Sequence, residues 1–210
     1  MRRTIPREVV DELSESSGAR GPKLAQRLAD ATYAYERERY QEARRILRRL
    51  VGEAVPSLAV RELHGLTLYR LGQWAQAAEA LEAYRQQSGS YEQHPVLADC
   101  YRALRRYGEA EALWEELRQG SPGADLVAEG RIVAAGCRAD RGDLAAAISL
   151  LERGTKRVSK PQARHVRQWY VLADLYERAG EVPRARELFR RLEALAPGAF
   201  DVAQRVRALR

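Results

Sequence analysis

The chain has 210 residues, of which 45% are apolar and 31% are charged. That apolar fraction is large enough to bury a core, which excludes a wholly disordered chain. The formal charge of +7 is compatible with an acidic partner, but most arginines alternate with glutamates on the same predicted helices, which is typical of a solvated surface. Runs of alternating Val, Ile and Thr are absent, so sheets are not expected. Because no apolar run suits a signal peptide or a membrane span, we expect a cytoplasmic protein.

The first predicted element is a short helix over residues 4–13. Thr4 is a suitable cap, Pro6 fits the first turn, and the apolar residues that follow have helical spacing. Residues 14–21 are rich in serine and glycine and are predicted to form a linker. The sequence thus predicts an N-terminal segment over residues 1–21 that consists of a helix and a linker.

From Pro22 onward, apolar residues follow helical spacing almost without interruption to residue 197. This stretch divides into five predicted helix pairs, at about 22–55, 57–89, 91–122, 124–158 and 162–197. A last helix within residues 198–210 carries apolar side chains on one side and is predicted to cover the end of the fifth pair.

An alanine recurs every 33 to 38 residues in the second helix of each pair, at Ala43, Ala77, Ala110, Ala147 and Ala185. Four residues after each alanine comes a large apolar residue, at Leu47, Leu81, Trp114, Leu151 and Phe189. A small residue lets two helices approach closely, and the large residue one turn later fills the space between neighbouring pairs. Small residues of the first helices, such as Gly65, are expected to serve the same close approach.

A turn between the helices of each pair lies five residues before the alanine. Gly72, Gly142 and Gly180 occupy it in three pairs, and glycine readily adopts the left-handed conformation that ends a helix. Glu38 and Arg105 occupy it in the first and third pairs. We expect the same backbone conformation there at a less favourable energy.

The fifth pair matches a repeat pattern of aromatic, small and apolar residues at Trp169, Leu172, Ala173, Tyr176, Ala185, Phe189 and Pro197. On these residues the chain resembles the tetratricopeptide repeat family over about residues 22–197. The fourth pair is the weakest match, because Arg131 and Arg138 stand where large apolar groups are expected. The runs 95–104, 169–174 and 200–203 also resemble actinobacterial members of the family, and this closer resemblance implies no function.

The resemblance implies an all-α, right-handed superhelical solenoid of about five hairpins, with short helices at both ends. It further implies a non-enzymatic scaffold that binds a peptide or a partner helix in its concave groove. In this family the first helix of each hairpin lines the groove. The matching positions here are Tyr33, Leu66, Tyr69, Asp99, Arg102, Tyr170, Asp174 and Glu177. The alternative for the tyrosines is that they cover neighbouring hairpins.

One specific form of groove binding is disfavoured. Family members that capture a C-terminal carboxylate use lysine and asparagine at set positions of the first helices. The matching positions of this chain hold neither residue type; they are Glu62, Pro95, Ile132, Tyr170, Leu66, Asp99, Gly136 and Asp174.

A basic segment offers an alternative site, for an anion or a nucleic acid. It contains Arg153, Lys156, Arg157, Lys160, Arg164 and Arg167, together with His165 and without an acidic residue. Aromatic residues appear only at its end, so base stacking is weakly supported and a solvated cationic loop is the favoured interpretation. Nucleic acid is therefore the less favoured partner. A third alternative is self-association through an exposed repeat end, which gives a homodimer.

No catalytic arrangement is recognisable in the sequence. His64, His94 and His165 fall in different repeats, and none stands in a nucleophile motif. Cys100 and Cys137 occupy equivalent places in neighbouring repeats, where a small apolar group packs well. We therefore expect neither enzymatic activity nor a cofactor or metal.

Overall fold

The computed structural model describes residues 5–53, 57–155, 158 and 160–209. These residues form helices joined by short turns, and no strand occurs among them. The helices are α1 Arg7–Ser17, α2 Gly21–Glu36, α3 Tyr40–Glu53, α4 Leu58–Arg70, α5 Trp74–Ser88, α6 His94–Ala103, α7 Tyr107–Gly120, α8 Ala124–Asp140, α9 Leu144–Thr155, α10 Ala163–Arg178, α11 Val182–Leu195 and α12 Val202–Ala208. The expected all-helical architecture is confirmed for the described residues.

The chain divides into two compact units, Met1–Arg105 and Arg106–Arg210. Helices α1 to α6 belong to unit one and helices α7 to α12 to unit two. The division falls inside the third predicted helix pair, at a place that the sequence pattern does not mark.

The N-terminal segment differs from the expectation. Helix α1 continues to Ser17, and a single 3-10 turn over residues 18–20 joins it to α2, so the predicted linker is wrong. Two observations explain the longer helix: Leu13 is fully buried, and a Cβ at Gly21 would lie 2.4 Å from Ser14 Cα. Packing against α2 thus outweighs the local preference of serine and glycine for loops. Thr4, the expected cap, lies outside the described residues.

The repeating alanines occupy the helix crossings, as expected. Ala43, Ala77, Ala147 and Ala185 are fully buried, and Ala110 is 1% exposed. Their large apolar companions are likewise in the core, with at most 5% of any of them exposed. The crossings are therefore tight in both units.

Gly65 of α4 shows how close one such approach is. A Cβ at this position would lie 2.6 Å from Cγ of Leu81, which is itself fully buried on α5. The prediction that Gly65 allows close packing is confirmed by this distance.

The five inter-helix turns share one backbone conformation. Gly72, Gly142 and Gly180 have φ angles of 70°, 90° and 77°, and Glu38 and Arg105 have φ angles of 57° and 59°. In four of these turns the residue after the left-handed one donates its N–H to a carbonyl of the preceding helix five residues earlier, as Gln73 does to Leu68 at 3.0 Å. The turn predicted from the glycines is therefore present even where the residue is charged.

Helix α12 packs on the C-terminal end of unit two. Val202 and Val206 are buried, and α12 contacts α11. The expected covering helix is thus present within the predicted residues 198–210. In the fourth pair, Arg131 and Arg138 stand where large apolar residues were expected, and both make polar contacts with other helices. Arg138 forms an ion pair with Glu111 of α7 at 3.2 Å, and Arg131 donates to Gln168 of α10 at 3.1 Å.

Candidate interaction surface

Helices α4 and α6 of unit one bring four of the predicted groove residues onto one face, which we call the Tyr69 surface: Leu66, Tyr69, Asp99 and Arg102. The hydroxyl of Tyr69 donates a hydrogen bond to Asp99 Oδ2 at 2.7 Å. Arg102 Nε donates to Asp99 Oδ1 at 2.8 Å. Leu66 lies one turn before Tyr69 on α4 and is partly exposed. One carboxylate therefore joins an aromatic residue of one helix to a cation of the next.

The environment of Tyr69 holds its ring and hydroxyl in place. The ring packs edge-on against Trp74, with centroids 5.3 Å apart. Burial raises the pKa of Tyr69 well above its usual value, and the hydrogen bond to Asp99 and the charge of Asp99 raise it further. The hydroxyl thus stays protonated as a donor, while Arg102 keeps 32% of its side chain exposed.

Glu62 and Gln93 form a second polar contact between the same parts of unit one. Gln93 Nε2 donates to Glu62 Oε1 at 2.8 Å, and burial raises the pKa of this carboxyl. The repeat pattern marks Glu62 only as a position without lysine or asparagine, and it does not mark Gln93. Gln93 precedes α6 and falls outside the helical repeat pattern, so no periodic signal marks it.

Tyr33 lies on α2, one hairpin before the Tyr69 surface. The guanidinium groups of Arg37 and Arg39 lie 5.3 and 5.4 Å from its ring centroid. These cation–π contacts cover part of the ring with charges from the adjacent turn. Tyr33 thus takes part in local packing of its own hairpin.

The predicted groove residues of α10 in unit two contact α12 or the two residues just before it. The hydroxyl of Tyr170 donates to Asp201 Oδ1 at 2.7 Å. Its ring stacks on Phe200 with centroids 4.3 Å apart. Tyr170 therefore packs on the segment that leads into α12, which is not a neighbouring hairpin of the kind that the alternative for the tyrosines named.

Asp174 and Glu177 both bind Arg205 of α12. Arg205 Nη2 donates to Asp174 at 2.7 Å and Nη1 donates to Glu177 at 2.8 Å. All three predicted groove residues of α10 thus have partners inside the chain. The apolar side of α12 follows from helical spacing, but the role of Arg205 does not, because nothing local links that arginine to carboxylates 28 and 31 residues earlier.

The basic segment carries less unpaired charge than its sequence suggests. Arg164 pairs with Asp125 at 2.9 Å and Arg167 pairs with Glu129 at 2.7 Å, and both carboxylates belong to α8. His165 Nδ1 accepts a hydrogen bond from the Gln162 N–H at 3.0 Å, so it caps α10.

The other basic residues of the segment are placed as follows. Arg153 is exposed at the end of α9 and donates to Ser149 Oγ at 3.0 Å. Lys160 is exposed. Lys156 and Arg157 lie outside the described residues.

The remaining candidate chemical groups are in packed positions. Cys100 and Cys137 are fully buried, and burial raises the pKa of the Cys100 thiol to about 12. His94 is buried. Burial and the charge of Arg44 lower the pKa of His64.

The residues that the structure describes contain no helix that is both long and apolar enough to span a membrane. Within the same part of the chain, no group of three or more His, Cys, Asp or Glu residues could hold a metal ion.

The fold and the surface define a protein built from helical-hairpin repeats. A family model described as tetratricopeptide repeat matches residues 28–92, 62–125 and 138–200. The chain therefore belongs to the tetratricopeptide repeat family. Such repeats generally mediate protein–protein interaction, and the fold is typically a non-enzymatic scaffold. No curated protein matches the chain.

Solved structures share the fold at low sequence identity. A thermophilic TPR protein from Thermus thermophilus has a TM-score of 0.64 and 18% identity, over 89% of this chain and 98% of that one. The apo form of the quorum sensor NprR from B. thuringiensis has a TM-score of 0.74 and 13% identity, over 95% and 62%. A putative kinesin light chain with TPR-like repeats from Podosopora anserina has a TM-score of 0.66 and 20% identity, over 87% and 97%.

Proposed function

We propose that this chain is a cytoplasmic protein-interaction module that binds an extended peptide or a partner helix on the Tyr69 surface. The observation that carries this proposal is the hydrogen-bonded group of Tyr69, Asp99 and Arg102, which spans the first helices of two consecutive hairpins. A ligand that crosses both helices can contact an aromatic ring, an apolar side chain and a cation together.

The residue types support this choice. Tyrosine and arginine are enriched among residues that dominate binding energy. The hydrogen bonds to Asp99 hold both side chains in one arrangement before binding, which lowers the entropy cost of association. Leu66 adds apolar area beside them.

The equivalent face of α10 is a poorer candidate. Its tyrosine stacks on Phe200, and its two carboxylates bind Arg205. A partner would have to displace α12 before it could reach these groups. We therefore assign binding to unit one and assign Tyr170, Asp174 and Glu177 to attachment of the C-terminal helix.

The test combines crosslinking with a charge-matched control. A photo-crosslinking amino acid at position 66 should capture a partner from a lysate of a related bacterium. Tyr69→Ala combined with Arg102→Glu should abolish that product. Arg49→Glu makes the same charge change on an exposed position of α3 and should leave the product unchanged.

Circular dichroism of all variants checks that they are folded. The same crosslinked product from the double variant and from wild type would refute binding on the Tyr69 surface. If the captured partner is a second copy of this chain, the surface is a homodimer interface and the ligand is not a peptide of another protein.

A further inference from the structure

Unit two contains an open cleft of about 720 Å³ between α7, α8 and α9. Four arginines line it, Arg118, Arg131, Arg138 and Arg153, against two glutamates, Glu111 and Glu115. None of these residues belongs to the Tyr69 surface, and only Arg153 belongs to the basic segment. The distribution of charge in this cleft is uneven, as the ion pairs show.

Two of the four arginines are neutralised within the cleft. Arg138 binds Glu111 through two hydrogen bonds of 3.2 and 3.3 Å. Arg118 binds Glu115 through Nε at 2.9 Å and also through Nη2. Both glutamates are therefore engaged, and the positive charge that remains belongs to Arg131 and Arg153.

Arg131 is half-buried among neutral groups. Its Nη1 donates to Gln168 Oε1 at 3.1 Å, and its guanidinium lies 5.7 Å from the ring centroid of Trp114. It forms no ion pair with any carboxylate of the described residues. Burial lowers the pKa of Arg131, and the nearby charge of Arg153 lowers it further. A half-buried cation without a counter-charge is costly, and an anion between the two arginines would offset that cost.

Gly154 leaves the space in which the guanidinium of Arg131 lies. A Cβ at position 154 would be 2.4 Å from Arg131 Nη1 and 2.7 Å from its Cδ. Any other residue type at position 154 would push the guanidinium of Arg131 out of its place. The position of Arg131 therefore depends on a backbone feature of the facing helix as well as on its own rotamer.

We propose that this cleft binds a phosphate monoester through Arg131 and Arg153. A phosphate monoester carries a charge of about −1.5 to −2 at neutral pH, which matches two uncompensated guanidinium groups better than one carboxylate does. Guanidinium groups also bind phosphate oxygens in a two-bond geometry. The volume of the cleft lies within the range of small-ligand sites, so it leaves room for the group that carries the phosphate.

The ester can belong to a small metabolite or to a phosphorylated serine of a partner peptide. Calorimetric titration at low salt uses three probes: O-phosphoserine, a phosphoserine peptide and the same peptide without phosphate. Both phosphorylated probes should bind and the unphosphorylated peptide should not. Similar affinities for the two phosphorylated probes identify a small-molecule site, whereas much tighter binding of the peptide identifies a protein partner.

Variants assign the binding to the cleft. Arg153→Gln removes an exposed cation and should weaken binding about tenfold or more, the effect of losing a charge-assisted hydrogen bond. Gly154→Ala should weaken binding as well, because it displaces Arg131 without changing the charge. Arg141→Gln is the matched control, an exposed arginine at the end of α8, and should change affinity by less than about twofold.

Three results would overturn the proposal. They are absence of binding by both phosphorylated probes, equal weakening by Arg141→Gln and Arg153→Gln, and an affinity for acetate equal to that for O-phosphoserine. Circular dichroism of each variant confirms that it is folded, and Arg153→Gln keeps the test valid if Gly154→Ala is unstable.

Discussion

Two faces of the molecule use tyrosine, aspartate and arginine in different ways. One is formed by α4 and α6 in unit one, and the other is the face of α10 in unit two. Tyr69 donates a hydrogen bond to Asp99 and Tyr170 donates one to Asp201, each at 2.7 Å. Asp174 of α10 occupies the repeat position of Asp99 but binds Arg205 rather than a tyrosine. In unit one, Arg102 neutralises Asp99 from the same helix. The equivalent position in unit two is Glu177, which adds a second negative charge.

This difference in charge accounts for the contacts that Arg205 of α12 makes with the two carboxylates of α10. Asp174 and Glu177 repel each other on one helix face, and Arg178 of the same helix approaches Asp174 only to 3.9 Å. Arg205 of α12 bridges the two carboxylates and adds a bond to Asp201 at 3.2 Å. The comparison shows that the first face is complete within the repeats, whereas the second is completed by the helix that follows them.

The largest expected effect comes from detaching α12. Val206→Asp places a charge at a site that is 8% exposed and should destabilise unit two by about 3 kcal/mol, measured by urea unfolding. Val51→Asp makes the same change at a valine that is 43% exposed and should have little effect. Equal effects of the two variants would show that α12 is not packed against unit two.

A backbone substitution tests the tight crossing below the first face. Gly65→Ala introduces a Cβ 2.6 Å from Leu81 Cγ and should destabilise unit one by about 2 kcal/mol. At Gly108 no atom lies within 4 Å of a new Cβ, so Gly108→Ala should stabilise the chain by up to about 1 kcal/mol. Thermal melts of both variants distinguish steric overlap from helix propensity; a stabilised Gly65→Ala variant would contradict the close approach.

The two tyrosine hydroxyls offer a direct comparison of the faces. Tyr69→Phe should lower the free energy of unfolding by about 1.5 kcal/mol, because it removes a hydrogen-bond donor from Asp99, whose side chain is 20% exposed. Tyr170→Phe should cost about 0.5 kcal/mol, because Asp201 is 43% exposed and water replaces the lost donor. Urea unfolding of both variants measures the two losses of stability. A larger loss for Tyr170→Phe than for Tyr69→Phe would contradict the expectation that the hydrogen bond of the first face contributes more.

The charge difference between the faces can be tested by reversal. Arg205→Ala should destabilise unit two by about 1 kcal/mol, and less at high salt, because the ion pairs are partly exposed. Glu177→Arg places an arginine at the position that Arg102 occupies in unit one. In that background, Arg205→Ala should lower the free energy of unfolding by less. Arg207→Ala is the exposed control on α12. An unchanged cost in the Glu177→Arg background would show that Arg205 does not act through these carboxylates.

The smallest effect is a dependence on pH. The hydrogen bond from Tyr170 and the charge of Arg205 lower the pKa of Asp201 below its ordinary value of 3.8. A carboxyl with a lowered pKa stabilises the folded state above that ordinary value and loses the contribution as the pH falls through the folded pKa. Melting temperatures compared at about pH 5 and pH 3 should therefore drop more for wild type than for Asp201→Asn. An equal drop would exclude this contribution.

Much of the fold was predictable because it depends on neighbours in the sequence. The alanine period places the crossings, and the left-handed turns follow from glycine at three positions and recur at Glu38 and Arg105. The N-terminal linker was wrongly predicted, because burial of Leu13 extends α1 through a serine-rich stretch. All four residues of the Tyr69 surface were named from their repeat positions, and helical spacing places Asp99 beside Arg102. The hydrogen bond from Tyr69 to Asp99 was not predictable, because it depends on how α4 and α6 pack.

The sequence by itself determined the helices, their hairpin order and which positions are small, since each depends on contacts within one turn or one repeat. Only the tertiary structure decided how the charged side chains pair. Arg205 binds Asp174 and Glu177, Arg164 and Arg167 pair with acids of α8, and Arg131 has no carboxylate partner in the described part of the chain. Long side chains reach partners on other helices, so their pairing depends on how those helices cross, which no local pattern encodes.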